Sequence, residues 1–79
     1  MNIEVDLFAS LAKYKPDNTG GNAFLFKCRD GITISDLIQA LNVPGKEVKL
    51  IFLNGTHAKG ESVLHEGDRV GIFPPIGGG

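Results

Sequence analysis

The sequence predicts an α+β domain of two layers, a mixed sheet of four to five strands with one main helix packed on one face. Three observations carry that expectation. Residues 3–7 and 69–73 place apolar side chains at every second position, the pattern of strands with one buried face. Ile34, Leu37, Ile38 and Leu41 recur at helical spacing and form one apolar stripe that must lie on a sheet. Asn54-Gly55, directly after an apolar run, is the strongest short hairpin signal.

Size and composition set the frame for these elements. With 79 residues, 42% hydrophobic and 22% charged, the chain suffices for one small domain and is too short for two. A net charge of −1 supplies no broad basic field, which argues against nucleic acid or an anionic membrane as the main partner. No apolar run nears the length of a membrane span, and Met1-Asn2-Ile3-Glu4 lacks the charged start and apolar run of a signal peptide. The expectation is a soluble, cytoplasmic protein. The single cysteine, Cys28, has no partner for an internal disulfide, and with two scattered histidines it gives no zinc-ligand spacing, so no metal site is expected. A cluster-carrying ferredoxin would need about four cysteines.

In chain order, Ile3, Val5 and Leu7 point inward from the first strand. Phe8, Leu11 and Ala12 then fall at i, i+3 and i+4, which predicts one or two helical turns over residues 8–14, ended by Pro16. Residues 15–22 are almost pure turn chemistry and read as an exposed loop; the spacing around Gly20-Gly21 fits no phosphate-binding fingerprint. Residues 23–28 form the second strand, hairpin partner of the first, with Phe24, Phe26 and Cys28 inward and Cys28 as a small buried hydrophobe. Thr33 with Asp36 resembles a capping box, and Ile32 with Leu37 a hydrophobic staple, so the helix starts there and runs to about Leu41. Asn42 can take the left-handed terminating conformation, and Pro44-Gly45 stops continuation.

Residues 48–53 make the third strand, apolar on both faces. If Val48, Leu50 and Phe52 sit under the helix, Ile51 and Leu53 lie beside Lys49 on the open face. Asn54-Gly55 folds residues 56–58 back, residues 59–62 form a loop, and Val63-Leu64 tuck in. Residues 66–68 turn the chain into the last strand, with Val70 and Ile72 inward and Phe73 outward. His57 and His65 stand in turn-rich surroundings, as solvated histidines do. Two hairpins flanking one helix describe a β-grasp, in which the first and last strands lie side by side.

The ending, Phe73-Pro74-Pro75-Ile76-Gly77-Gly78-Gly79, has no use in a packed domain. Three glycines bury no side chain and lose the most backbone entropy on ordering. The two prolines fix φ and remove donors, so the domain is expected to span residues 1–73 and residues 74–79 to leave it as an extended tail. Six residues could carry a terminal carboxylate about 20 Å outward, far enough to enter another protein's active site.

These features together resemble the MoaD/ThiS family of ubiquitin-like sulfur carriers. The likeness rests on Leu7-Phe8-Ala9 with Leu11, on Thr33-Ile34-Ser35-Asp36-Leu37 opening the helix, and on Leu53-Asn54-Gly55 at the hairpin. It continues through Leu64-His65-Glu66-Gly67-Asp68-Arg69-Val70 to the glycine ending, and the Phe-Pro-Pro stalk is closer to the MoaD type, the small subunit of molybdopterin synthase. The family hallmark is a terminal glycine pair, matched here by Gly78 and Gly79, and Gly77 is an addition.

The resemblance implies a carrier that is not itself an enzyme. An E1-like adenylyltransferase of the MoeB/ThiF type would activate the Gly79 carboxylate with ATP and magnesium, the carrier holding no cofactor, and a sulfur donor would leave a thiocarboxylate. Pro74, Pro75, Ile76, Gly77 and Gly78 would form the inserting tail, and Ile51, Leu53 and Phe73 the docking surface. The recipient would be a larger MoaE-type synthase subunit in molybdopterin formation, or thiazole synthase for a ThiS-type carrier. A ubiquitin-like modifier forming isopeptides through Gly79, or a β-grasp binding module whose tail is idle, would share the same body.

Overall fold

A computed structural model describes residues 1–16 and 21–75. Within them the chain forms strands β1 (Asn2–Leu7), β2 (Ala23–Lys27), β3 (Leu50–Leu53), β4 (Thr56–His57) and β5 (Arg69–Phe73). One α-helix, α1 (Ile34–Ala40), and two short 3₁₀ helices, Ala9–Tyr14 and Gly45–Glu47, complete the element order. The strands make one sheet in the order β2-β1-β5-β3-β4. β1 and β5 run parallel and every other pair is antiparallel, so the first and last strands lie side by side at the centre, as a β-grasp requires.

The period-two pattern translates directly into burial. Ile3, Val5 and Leu7 of β1 and Val70 and Ile72 of β5 are fully buried, and they meet Ile34 and Leu37 of α1, with Leu11, Leu64 and Phe24 closing the sides. At about 25 cal/mol per Å² of apolar surface removed from water, this shared layer is the main stabilising term of so small a domain.

Helix α1 begins where Thr33 and Asp36 place it. The Asp36 N–H donates to Thr33 Oγ1 at 3.1 Å and the Thr33 N–H to Asp36 Oδ2 at 3.0 Å, a complete capping box. The next two amides, of Ile34 and Ser35, donate to the Ser62 and Gly60 carbonyls at 3.0 and 2.8 Å. The loop before β5 therefore satisfies donors that a helix start leaves open. Asn42 takes φ 61°, the left-handed stop expected of it. Asn54 and Gly55 take φ 53° and 83°, the twist of a two-residue type I′ hairpin.

Three local expectations change. Residues 8–14 do not bury Phe8, Leu11 and Ala12 on one face. The 3₁₀ helix starts at Ala9, and Phe8 before it is extended (φ −91°, ψ 153°), continuing the run of β1 by one residue. Phe8 thus faces away from Leu7, and Leu11 alone is buried. The strand expected over residues 48–53 starts only at Leu50, because the Gly45–Glu47 turn holds the Val48 N–H on the Gly45 carbonyl at 3.1 Å. Cys28 lies just past β2 and is partly rather than fully buried. Burial pushes its thiol pKa up, toward the unreactive protonated form. Part of the loop expected over residues 15–22 lies outside the described residues.

Candidate functional site

Among the described residues α1 packs on one face of the sheet, which leaves the other face open. Which residues of β3 reach it follows from pairing register. Ile51 pairs with Ile72 and Leu53 with Val70, and paired residues share a face. Ile72 and Val70 are fully buried under α1, so Ile51 and Leu53 point to the helix side, where both pack partly buried against the core. Their expected place on the open face is overturned. The alternate residues, Leu50 paired with Phe73 and Phe52 paired with Gly71, face out instead.

An aromatic cluster forms there. The Phe8 and Phe73 rings stack with centroids 4.2 Å apart and planes 8° from parallel, and Phe52 meets Phe73 edge to face at 5.6 Å. Gly71 makes room for the stack, since a Cβ at that position would lie 3.3 Å from the Phe8 ring and 3.8 Å from the Phe73 ring. The three rings line a shallow groove of about 640 Å³ whose polar lining is Asp6, Asn54 and Arg69. Arg69 Nε sits 3.0 Å from Glu4 Oε2 and 3.6 Å from Asp6 Oδ2, so one cation faces two carboxylates and the rim keeps an excess negative charge beside an apolar floor.

The hairpin end of the groove is fixed by Asp68. Asn54 Nδ2 donates to Asp68 Oδ1 at 3.0 Å and the His65 N–H to Asp68 Oδ2 at 2.8 Å, while the Arg69 N–H donates to Asn54 Oδ1 at 2.9 Å. Partial burial alone would raise the Asp68 pKa, but the hydrogen bonds from Asn54 and His65 outweigh it and hold the carboxyl below its usual value.

The root of the tail lies at the other end of β5. The Lys49 N–H donates to the Phe73 carbonyl at 2.7 Å. Pro74 is buried and Pro75 exposed, so the body holds the chain one residue beyond the strand. Ile76, Gly77, Gly78 and Gly79 lie outside the described residues. Of the expected docking residues, the structure places Phe73 on the open face and removes Ile51 and Leu53 from it. Phe8 and Phe52 join the face without having been expected there. Phe8 was within reach of the sequence, since extending the β1 alternation by one residue already turns it outward.

The family model described as Mut7-C ubiquitin matches residues 1–77. No curated protein matches the chain. Among solved structures, the H. volcanii small archaeal modifier protein 1 superposes with a TM-score of 0.74 at 23% identity, over 95% of this chain and 98% of that one. A putative molybdopterin converting factor subunit 1 from Pyrococcus furiosus gives 0.71 at 24% identity, over 95% and 98%. The complex of subunits 1 and 2 of the molybdopterin-converting factor from Helicobacter pylori gives 0.61 at 27% identity, over 100% of both chains. The MoaD resemblance thus reappears among the structural neighbours. No helix among the described residues is long and apolar enough to cross a membrane.

Proposed function

Because the chain belongs to the Mut7-C ubiquitin family, we propose that it is a ubiquitin-like sulfur carrier whose chemistry takes place at a carboxylate on Gly79. Such a carboxylate ordinarily titrates at about pH 3.3 to 3.7, so at neutral pH it is an anion and a poor electrophile. An E1-like partner activates it: an oxygen of the carboxylate attacks the α-phosphorus of magnesium-bound ATP, pyrophosphate leaves, and an acyl adenylate remains. Hydrosulfide provided by a sulfur donor then attacks the carbonyl carbon and expels AMP, and loss of its proton leaves a thiocarboxylate. The carrier supplies the reacting carbonyl, clearance through Gly77 and Gly78, and a docking face; ATP, magnesium and the catalytic groups belong to the partner.

The observation that carries this reading is the position of Phe73. It ends the middle strand of the sheet, its ring forms the open-face cluster with Phe8 and Phe52, and the chain passes from it directly into Pro74-Pro75-Ile76 and the glycines. Docking face and tail are therefore continuous. The recipient is a larger synthase subunit of molybdopterin formation, a choice supported by the Phe-Pro-Pro stalk and by the two-subunit Helicobacter pylori structure; a thiazole synthase is the ThiS-type alternative. The H. volcanii neighbour favours a second reading, a modifier whose activated Gly79 carbonyl is taken by a lysine amine.

Intact mass spectrometry of the natural protein, incubated with its activating enzyme, ATP, magnesium and a sulfur donor, tests both. Replacement of one oxygen by sulfur on a chain ending at Gly79 is the expected result. A ladder of protein conjugates without that replacement would establish the modifier instead, and a mature chain that continues past Gly79 would overturn both.

A further inference from the structure

β1 runs parallel to β5 and β3 antiparallel to it. The segment after β1 and the segment before β3 therefore both lie at the end of the sheet where β5 stops, and the two 3₁₀ helices are those segments. They reach β5 from its two sides. The Phe8 N–H donates to the Ile72 carbonyl at 3.1 Å, and the Lys49 N–H to the Phe73 carbonyl at 2.7 Å. A side-chain bond joins them: the Tyr14 hydroxyl lies 3.1 Å from each carboxylate oxygen of Glu47. Pro74 is buried at this same end, and Pro75 is the first exposed residue after it.

We propose that Tyr14 and Glu47 form a clasp across the end of β5 that fixes Pro74 and the direction of the chain at Pro75, and that a partner's channel depends on that direction. The second half rests on the carrier reading above. Tyr14 packs its ring against the core and leaves its hydroxyl for Glu47, 33 residues away in sequence, so the bond spans two segments that share no strand. Burial, and then the bond to Glu47, raise the Tyr14 pKa, so the hydroxyl stays protonated and donates throughout the neutral range. Direction matters because a tilt at Pro75 is carried into whatever follows it, so fewer orientations of the carrier bring the chain to a partner's channel and binding weakens.

Tyr14→Phe removes the hydroxyl and keeps the ring, Glu47→Ala removes the acceptor, and Glu47→Gln keeps one. Hydrogen exchange at the Lys49 amide, which bonds to Phe73, should quicken about 5-fold in Tyr14→Phe and Glu47→Ala and stay near wild type in Glu47→Gln, with the β1–β2 amides unchanged. In adenylation by the activating enzyme, the first two variants should raise KM about 5-fold at constant kcat, and Glu47→Gln should restore it. Unchanged Lys49 exchange would overturn the clasp. Faster exchange with an unmoved KM would overturn its role in tail direction. Failure of the wild type to be adenylated would overturn the carrier reading instead, while the exchange data still decide the clasp.

Discussion

Phe8 and Phe73 stack over Gly71 with their ring centroids 4.2 Å apart, which joins the residue leaving β1 to the residue ending β5 on the face that α1 does not cover. Such a pair contributes about 0.5 to 1.5 kcal/mol beyond its burial. Under the proposed carrier function its larger role is as an aromatic anchor, the side-chain type that dominates binding energy at interfaces. Phe73→Ala and Phe8→Ala should each weaken binding to the activating enzyme at least about 10-fold, while thermal unfolding moves by only several degrees. Titration calorimetry that finds wild-type affinity in both variants would remove this face as the docking surface.

Ile51 and Leu53 should behave in the opposite way. Both pack on the helix side of the sheet, so truncation leaves a gap in the core and exposes no new docking surface. For partly buried residues the loss should sit near the lower end of the core range, about 2 kcal/mol for Leu53→Ala in urea unfolding. The folded fraction should bind the partner with unchanged affinity. A weakened complex without lost stability would return Leu53 to the interface.

Gly60 lies against the start of α1. A Cβ there would overlap Ser35 Oγ while staying 3.5 Å from Ser35 Cβ, so the obstruction is the hydroxyl alone. Gly60→Ala should cost about 1 kcal/mol, because Ser35 must turn away or the loop must shift. Adding Ser35→Ala should recover most of that loss, a coupling that a double-mutant cycle measures directly. Two independent, additive losses would show that the loop backbone, not the hydroxyl, sets the cost.

The capping box makes stability depend on acid. The Thr33 N–H, and then the Thr33 side chain, hold the Asp36 carboxyl below its usual value. The unfolded chain therefore takes up this proton first as pH falls. Asp36 contributes its full stabilisation above the unfolded value of about 3.9 and loses it as pH drops through the lower folded value. Asp68 adds to the same limb with the same sign. Asp36→Asn should flatten part of the decline in melting temperature below about pH 4; an unchanged slope would assign the decline to other carboxylates. At neutral pH, Thr33→Ala should cost about 1 kcal/mol.

Deleting Gly78 and Gly79 should abolish thiocarboxylate formation and leave the melting temperature unchanged, since neither residue has a side chain to pack. Retained sulfur transfer in the shortened chain would place the reacting carbonyl elsewhere. Retained partner binding with transfer lost is the result expected of a carrier.

Much of this architecture was legible in the chain because each signal was local. Ile3 and Val5 stand between polar residues and Leu7 follows Asp6, so alternation alone assigns their face. Thr33 and Asp36 stand three residues apart, and Asn54-Gly55 needs only its own backbone to turn the chain. Such features are read correctly one segment at a time.

The open face was not legible in that way. Residues 50–53 are Leu-Ile-Phe-Leu, apolar at every position, so alternation carries no information about which pair lies under the helix. Pairing decides it, because Ile51 opposite Ile72 and Leu53 opposite Val70 inherit the buried side of β5 and leave Phe52 outside with Phe8 and Phe73. The clasp of Tyr14 and Glu47 is likewise a product of strand order. The sequence by itself determined the elements, the caps and the glycine ending. Only the tertiary structure decided which aromatic residues stand around the root of that ending, since strand register and order are long-range choices that no local spacing encodes.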